Sequence, residues 1–145
     1  FSLFVGDRSS LYYFSNRGGS PKELTPGLYG LSNHLLDTPW PKVERGKKAL
    51  DGLLVGKSPL RKEALFEILA DRSRPPDESL PSTGMSLEWE RILSPPFIAS
   101  PVYGTRSSTV ILVDRRGQVT FDEKVFNSNP NARETRHFEF TLDES

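Results

Sequence analysis

The hydrophobic period of this chain changes twice, and nothing else in the sequence constrains the fold as strongly. Residues 1–33 hold short strand-like runs cut by turn residues, residues 41–69 carry apolar positions at three-to-four spacing, and strand-like runs return from Phe97 onward. A period of two lays side chains on alternate faces of a strand, whereas a period near 3.6 lays them on one face of a helix. Two consecutive helices between hairpin-rich β blocks predict an α+β fold, a layered sandwich in which helices cover antiparallel sheets.

In the first block, Phe1 to Val5 and Leu11 to Ser15 flank Gly6-Asp7-Arg8-Ser9, which has the composition of a hairpin loop. Asn16 to Pro21 reads as a turn, and Pro26-Gly27 splits two further short strands, Lys22 to Thr25 and Leu28 to Leu31. Pro41 suits a first helical position. Behind it Val43, Gly46, Leu50, Leu53 and Leu54 form an inward stripe, with Lys42, Glu44, Lys47, Lys48 and Asp51 largely outward and Gly56 as terminator. Ser58-Pro59 reads as the start of a second helix that buries Leu65, Ile68 and Leu69. Arg72 to Gly84, rich in proline and charge, predicts a long exposed loop with the character of a lid, and Leu87 to Leu93 a short helical turn.

The last block predicts strands at Phe97–Ala99, Ser108–Val113, Val119–Val125 and Thr135–Leu142, with Asp114-Arg115-Arg116-Gly117 as a hairpin turn whose glycine takes positive φ. Thr109 to Val113 is apolar on both alternating faces, the pattern of a central strand covered on both sides. Phe138, Phe140 and Leu142 alternate with His137, Glu139 and Thr141, so that strand has one wet face.

The 145 residues fit one domain able to bury a core, and 19 basic residues offset 19 acidic ones. Such neutrality offers no electrostatic footprint for a nucleic-acid backbone or an anionic membrane. The absence of cysteine removes disulfides, thiolate metal sites and a thiol nucleophile from within this chain. No apolar run reaches the length of a transmembrane helix and no segment resembles a signal peptide, so a cytoplasmic, soluble protein is the expectation. The opening Phe1-Ser2-Leu3-Phe4-Val5 reads as the start of a strand in a fragment or a processed piece.

Arg106 stands in Gly104-Thr105-Arg106-Ser107-Ser108, a small-residue entry to a strongly strand-forming run, and Asn33 closes Leu28-Tyr29-Gly30-Leu31-Ser32-Asn33. Both polar groups follow glycine-containing strand edges, and their convergence at one sheet end is expected. Each also has a plainer reading: Asn33 as a turn asparagine bonding local backbone, Arg106 as a surface cation or a member of an ion pair. Trp40, between two prolines, reads as a packing anchor, and Asp37 and Thr38 as capping groups. His34, beside Asn33, is a lone histidine, which is ordinarily no more than that. Its distance in sequence from His137 gives a metal pair little support. Ser107, Ser108 and Thr109 lack a motif-linked base and a Gly-x-Ser-x-Gly elbow.

Four segments carry a resemblance: Tyr13-Phe14-Ser15-Asn16-Arg17-Gly18, Leu24 through Asn33, Leu36-Asp37-Thr38-Pro39-Trp40-Pro41-Lys42, and Tyr103 through Thr109. With Val119-Thr120-Phe121 and Phe138 through Leu142, they resemble the C-terminal half of the NRDE family, in order and over nearly the whole chain. The resemblance implies an N-terminal nucleophile hydrolase-like αββα sandwich, with residues 1–145 as a single domain or as the C-terminal half of a larger one. The family nucleophile is an N-terminal cysteine, which this chain lacks, and the Asn-Arg-Asp-Glu motif belongs to the other half. The resemblance further implies Asn33 as an oxyanion donor or orienter of the terminal amine, and Arg106 as the cation beside the nucleophile. It implies one of two functions: a carrier of a small hydrophobic ligand, connected with haem mobilisation or lipid and acyl-CoA homeostasis, with His34 as the candidate axial haem ligand, or a cysteine hydrolase of a non-peptide amide or acyl bond. Its implied partner is the missing N-terminal half, or a complementary chain.

Overall fold

The computed structural model describes residues 1–56, 59–126 and 133–142, the side chain of Arg133 excepted. It is α+β, with two antiparallel three-stranded sheets and three α-helices among the described residues. The first sheet has the order β1 (Ser2–Gly6), β2 (Leu11–Ser15), β3 (Gly18–Glu23), and the second β4 (Ser107–Val113), β5 (Gln118–Phe126), β6 (Arg133–Thr141). Between them come α1 (Pro41–Val55), α2 (Lys62–Leu69) and α3 (Leu87–Leu93).

The first hairpin closes as its composition dictates, because Asp7 Oδ1 accepts from the backbone N–H groups of Ser9 and Ser10 at 2.7 and 2.8 Å. Bonds from the Ser9 hydroxyl and from those two N–H groups lower the Asp7 pKa to about 2. The next turn is tighter than its composition indicates: only Asn16 and Arg17 lie between the Ser15–Gly18 pair, and Gly18-Gly19-Ser20 belongs to β3. A register irregularity between Tyr13 and Ser15, with Gly19 at φ 62°, absorbs the misfit. Leu28–Leu31 is not a strand. It belongs to a loop pinned at Asp37, whose Oδ1 accepts the Gly30 N–H and the Lys47 ammonium, both at 2.8 Å.

Pro41 does stand at the first position of α1, and Gly56 follows its end. The stripe is shifted from the expected one: Val43 is buried, Leu54 is half exposed, and Lys42 and Lys47 are drawn partly inward. Asp37 and Thr38 do not cap α1, since Trp40 occupies that position without a side-chain cap bond and Thr38 Oγ1 donates to Leu35 O. Ser58 lies outside the described residues, and α2 begins at Lys62 rather than beside it. Phe66 is the buried residue of α2, while Leu65, Ile68 and Leu69 are only partly covered. The 72–84 segment is largely exposed but tethered: Arg45 reaches Ser73 O, Asp77 pairs with Arg91, and Glu90, itself buried, accepts the Thr83 N–H at 2.9 Å.

Phe97–Ala99 forms only an isolated bridge between Ala99 and Gly104. The hairpin after β4 matches its composition, with Gly117 at φ 81°. A Cβ on Gly117 would lie 3.3 Å from Arg8 Nε, so glycine here also admits the tip of the first hairpin against the second. The expectation of a central β4 is overturned: β5 is central and β4 is an edge. One face of β4, through Ser108 and Val110, is buried on the side of α2, while Ile111 and Val113 on the other are 57% and 56% exposed. Being apolar on both faces does not require covers on both; the second cover is not supplied by the described residues.

Under α2 lies the most buried charged side chain among the described residues. Asp122 is 2% exposed, and its Oδ1 accepts from Lys62 Nζ and from His137 Nδ1, each at 2.9 Å, tying α2 to β5 and β6. Burial alone would raise this carboxyl's pKa, but the bonds from Lys62 and His137 outweigh it and hold it below the ordinary value. The stabilisation is therefore fully present above the unfolded aspartate pKa, near 4, and is lost as pH falls through the lower folded value. Asp122→Asn is expected to flatten the acid limb of the stability curve below about pH 4, read as urea midpoints against pH for both proteins. Parallel acid limbs would show that Asp122 contributes nothing to it.

Candidate functional site: a groove between the helices and the edge of the second sheet

An apolar groove of about 630 Å³ runs between α1, α2 and β4. Its walls are Val43, Gly46 and Leu50 from α1, Leu65, Ile68 and Leu69 from α2, and Thr109, Val110 and Ile111 from β4. The loop from Tyr29 to Asn33 closes one side, and Leu93, Pro95, Pro96, Ile98 and Tyr103 complete the rim. The loop approaches α1 because Gly30 has no side chain: a Cβ there would lie 2.6 Å from Val43 Cγ1.

Two lysines enter this apolar surface. Lys47 is neutralised by Asp37, whose carboxyl is held below its usual pKa by the Lys47 bond and, beyond it, by the Gly30 N–H. Lys42 is different. Its Nζ donates to the main-chain Leu93 O at 2.9 Å and lies 5.8 Å from the centre of the Trp40 ring. Burial pushes the Lys42 pKa below the ordinary lysine value, with the Glu90 carboxylate acting in the opposite direction. A partly desolvated cation beside aliphatic walls is suited to an anionic group attached to an apolar body.

Of the residues singled out from sequence, Asn33 lines this groove, is exposed, and makes no side-chain hydrogen bond among the described residues. Arg106 is exposed and likewise has no side-chain bond or ion pair among the described residues. It lies one residue ahead of β4 and outside the lining set, although Tyr103 and Thr109 on either side of it belong to that set. His34 is exposed and outside the lining, with Nδ1 2.9 Å from Thr38 Oγ1 and its ring 5.8 Å from that of Trp40. Trp40 thus packs the entry to α1, as its setting between prolines indicates. The expectation that the charged residues of α1 face outward fails at Lys42. Lys42, Gly46 and Leu50 follow one another at four-residue steps, which places the lysine on the groove stripe.

The described residues contain no cluster of three or more His, Asp or Glu able to hold a metal, and no helix long and apolar enough to cross a membrane. A family model described as "Transport and Golgi organisation 2" matches residues 1–128. The chain is 36% identical over 156 residues to the human "Transport and Golgi organization protein 2 homolog", and 39% identical over 158 residues to its Bos taurus counterpart. Each alignment covers 98% of this chain and 56% of the relative, so the chain spans little more than half the length of these proteins. The NRDE resemblance and these matches point to one family, and this chain belongs to it: the Transport and Golgi organisation 2 family.

Proposed function

We propose that this chain supplies the binding groove of a carrier for a small amphipathic anion, a ligand with an apolar body and an acidic end. The observation that carries the reading is Lys42, a partly desolvated ammonium at the wall of an apolar groove of about 630 Å³. Aliphatic side chains from α1 and α2 would take the apolar body, Lys42 the acidic end, and the Asn33 amide a polar atom of the ligand. Haem with its propionates and an acyl chain with its carboxylate or phosphate share this chemistry. The αββα arrangement is part of the same proposal, with α2, which packs on the second sheet, contributing to one helical layer and the remaining layers outside this chain.

The hydrolase reading, in which Asn33 and Arg106 assist an N-terminal thiol, requires a cysteine from beyond these 145 residues. The groove needs no such addition to bind, and the carrier reading is preferred on that ground.

Titration with haem, followed at the Soret band, and displacement of a fluorescent fatty acid separate the two ligand sources. Saturable binding in at least one arm is expected, weakened at least tenfold by Lys42→Met, which keeps the aliphatic stem and removes the charge (about 1.4 kcal/mol). In the haem arm, a Soret change on His34→Ala would assign the axial ligand through Nε2, and an unchanged spectrum would remove His34. Absence of binding in both arms, or binding indifferent to Lys42→Met, contradicts the reading.

A further inference from the structure

The groove is lined by three consecutive residues of β4, Thr109, Val110 and Ile111, although neighbours in a strand point to opposite faces. Only the open edge of the strand presents all three together. The hydrogen-bond parity says which groups that edge carries. Phe126 N donates to Arg106 O and Asp114 N to Gln118 O, so the even-numbered residues of β4 exchange bonds with β5. The odd-numbered ones, Ser107, Thr109, Ile111 and Val113, turn their N–H and C=O groups outward, away from β5.

Open edges are ordinarily guarded by charge. At the other end of this sheet β6 is so guarded, carrying Glu134, Arg136, His137 and Glu139, whereas Ser107–Val113 holds no charged residue. On the face of the sheet that carries Ile111 and Val113 of this edge, those two residues are 57% and 56% exposed, and Phe138 and Phe140 of β6 are 56% and 50% exposed. The strand β1 is also an uncharged edge, but the groove runs along β4.

We propose that the β4 edge receives an additional β-strand from the part of the family's length that this chain does not span. The incoming segment is an extended one with apolar residues at alternate positions, satisfying the four outward backbone pairs and covering Ile111 and Val113. The relatives contain the necessary length, since the chain accounts for 56% of theirs. Once paired, the strand lies about 4.8 Å from β4, on the side that lines the groove, and replaces the β4 edge as the groove wall there. That last step rests on the groove as a binding site; the strand addition does not.

The test is amide hydrogen exchange, read without ligand, on this chain alone and after addition of the segment of the Bos taurus relative that it does not span. Alone, the amides of Thr109, Ile111 and Val113 should exchange rapidly while those of Val110 and Leu112 are protected by β5. Addition of the segment should slow the first three at least a hundredfold. Thr109→Pro removes an outward donor without cutting the β4–β5 ladder, so it should keep Leu112 protected and weaken association at least tenfold. Failure to associate, or association that leaves Thr109, Ile111 and Val113 exchanging as before, overturns the proposal. Concentration-dependent protection in the chain alone also overturns it, by giving the edge to a second copy.

Discussion

Replacing Gly46 with phenylalanine is expected to weaken ligand binding more than about tenfold while leaving the chain folded. Gly46 lies in the middle of α1 and on the groove wall, and a Cβ built there meets no atom within 4 Å. A glycine inside a helix is the costliest ordinary residue apart from proline, so the substitution is nearly neutral for the helix, within about 1 kcal/mol. The ring would then occupy the space between the α1 and α2 walls. Affinity should fall more than about tenfold, a loss above about 1.4 kcal/mol. Gly46→Ala is the control: it should raise stability by about 0.5–1 kcal/mol and leave the groove open. Equal binding by both variants would place the ligand elsewhere.

The second large effect concerns stability alone. Phe97 is 2% exposed, meets Phe126 edge-to-face with centroids 4.7 Å apart, and lies under the Arg72 guanidinium at 4.8 Å. Its N–H also donates to Asp71 O at 2.9 Å, which ties the segment after α3 to the end of α2. Truncation to alanine loses the buried ring, leaves a cavity and removes the aromatic pair, so Phe97→Ala should cost about 3–5 kcal/mol. Against a typical domain stability of about 5–15 kcal/mol this is a large fraction, visible as a lowered urea midpoint. Phe97→Leu, which refills most of the volume, should cost clearly less. Equal losses would mean that ring geometry, not volume, is what the core requires.

The α+β class was legible because it depends on period, which a sequence states directly. Both outer hairpins and the start of α1 at Pro41 follow from turn and cap chemistry that acts within a few residues. The position of β4 was not legible. An apolar run looks the same in a buried central strand and in an edge that awaits a neighbour, and pairing order is a long-range property. The loop from Leu28 to Leu31 departs from the expected strand for a related reason: its composition allows a strand, but Asp37 takes the Gly30 N–H.

The site was legible in part. Asn33 borders the groove, although the run before it is a loop and not the expected strand, while Arg106 lies outside the lining set and the catalytic pairing of the two rests on the family resemblance. Lys42 was hidden by the rule that helical charges face water, which fails where a long aliphatic stem can cross an apolar surface. The Asp122 clamp had no local signal, because Lys62, Asp122 and His137 meet only through the packing of α2 on β5 and β6.

The groove as a binding site is most directly tested by photolabelling with a diazirine-bearing fatty acid, followed by mass spectrometric mapping of the adducts. The account predicts labelling at Leu50, Leu65, Ile68 and Leu69, competed away by unlabelled fatty acid and lost in Gly46→Phe. Labelling that concentrates on Phe138 and Phe140, on the exposed face of the second sheet, and persists in Gly46→Phe would contradict it.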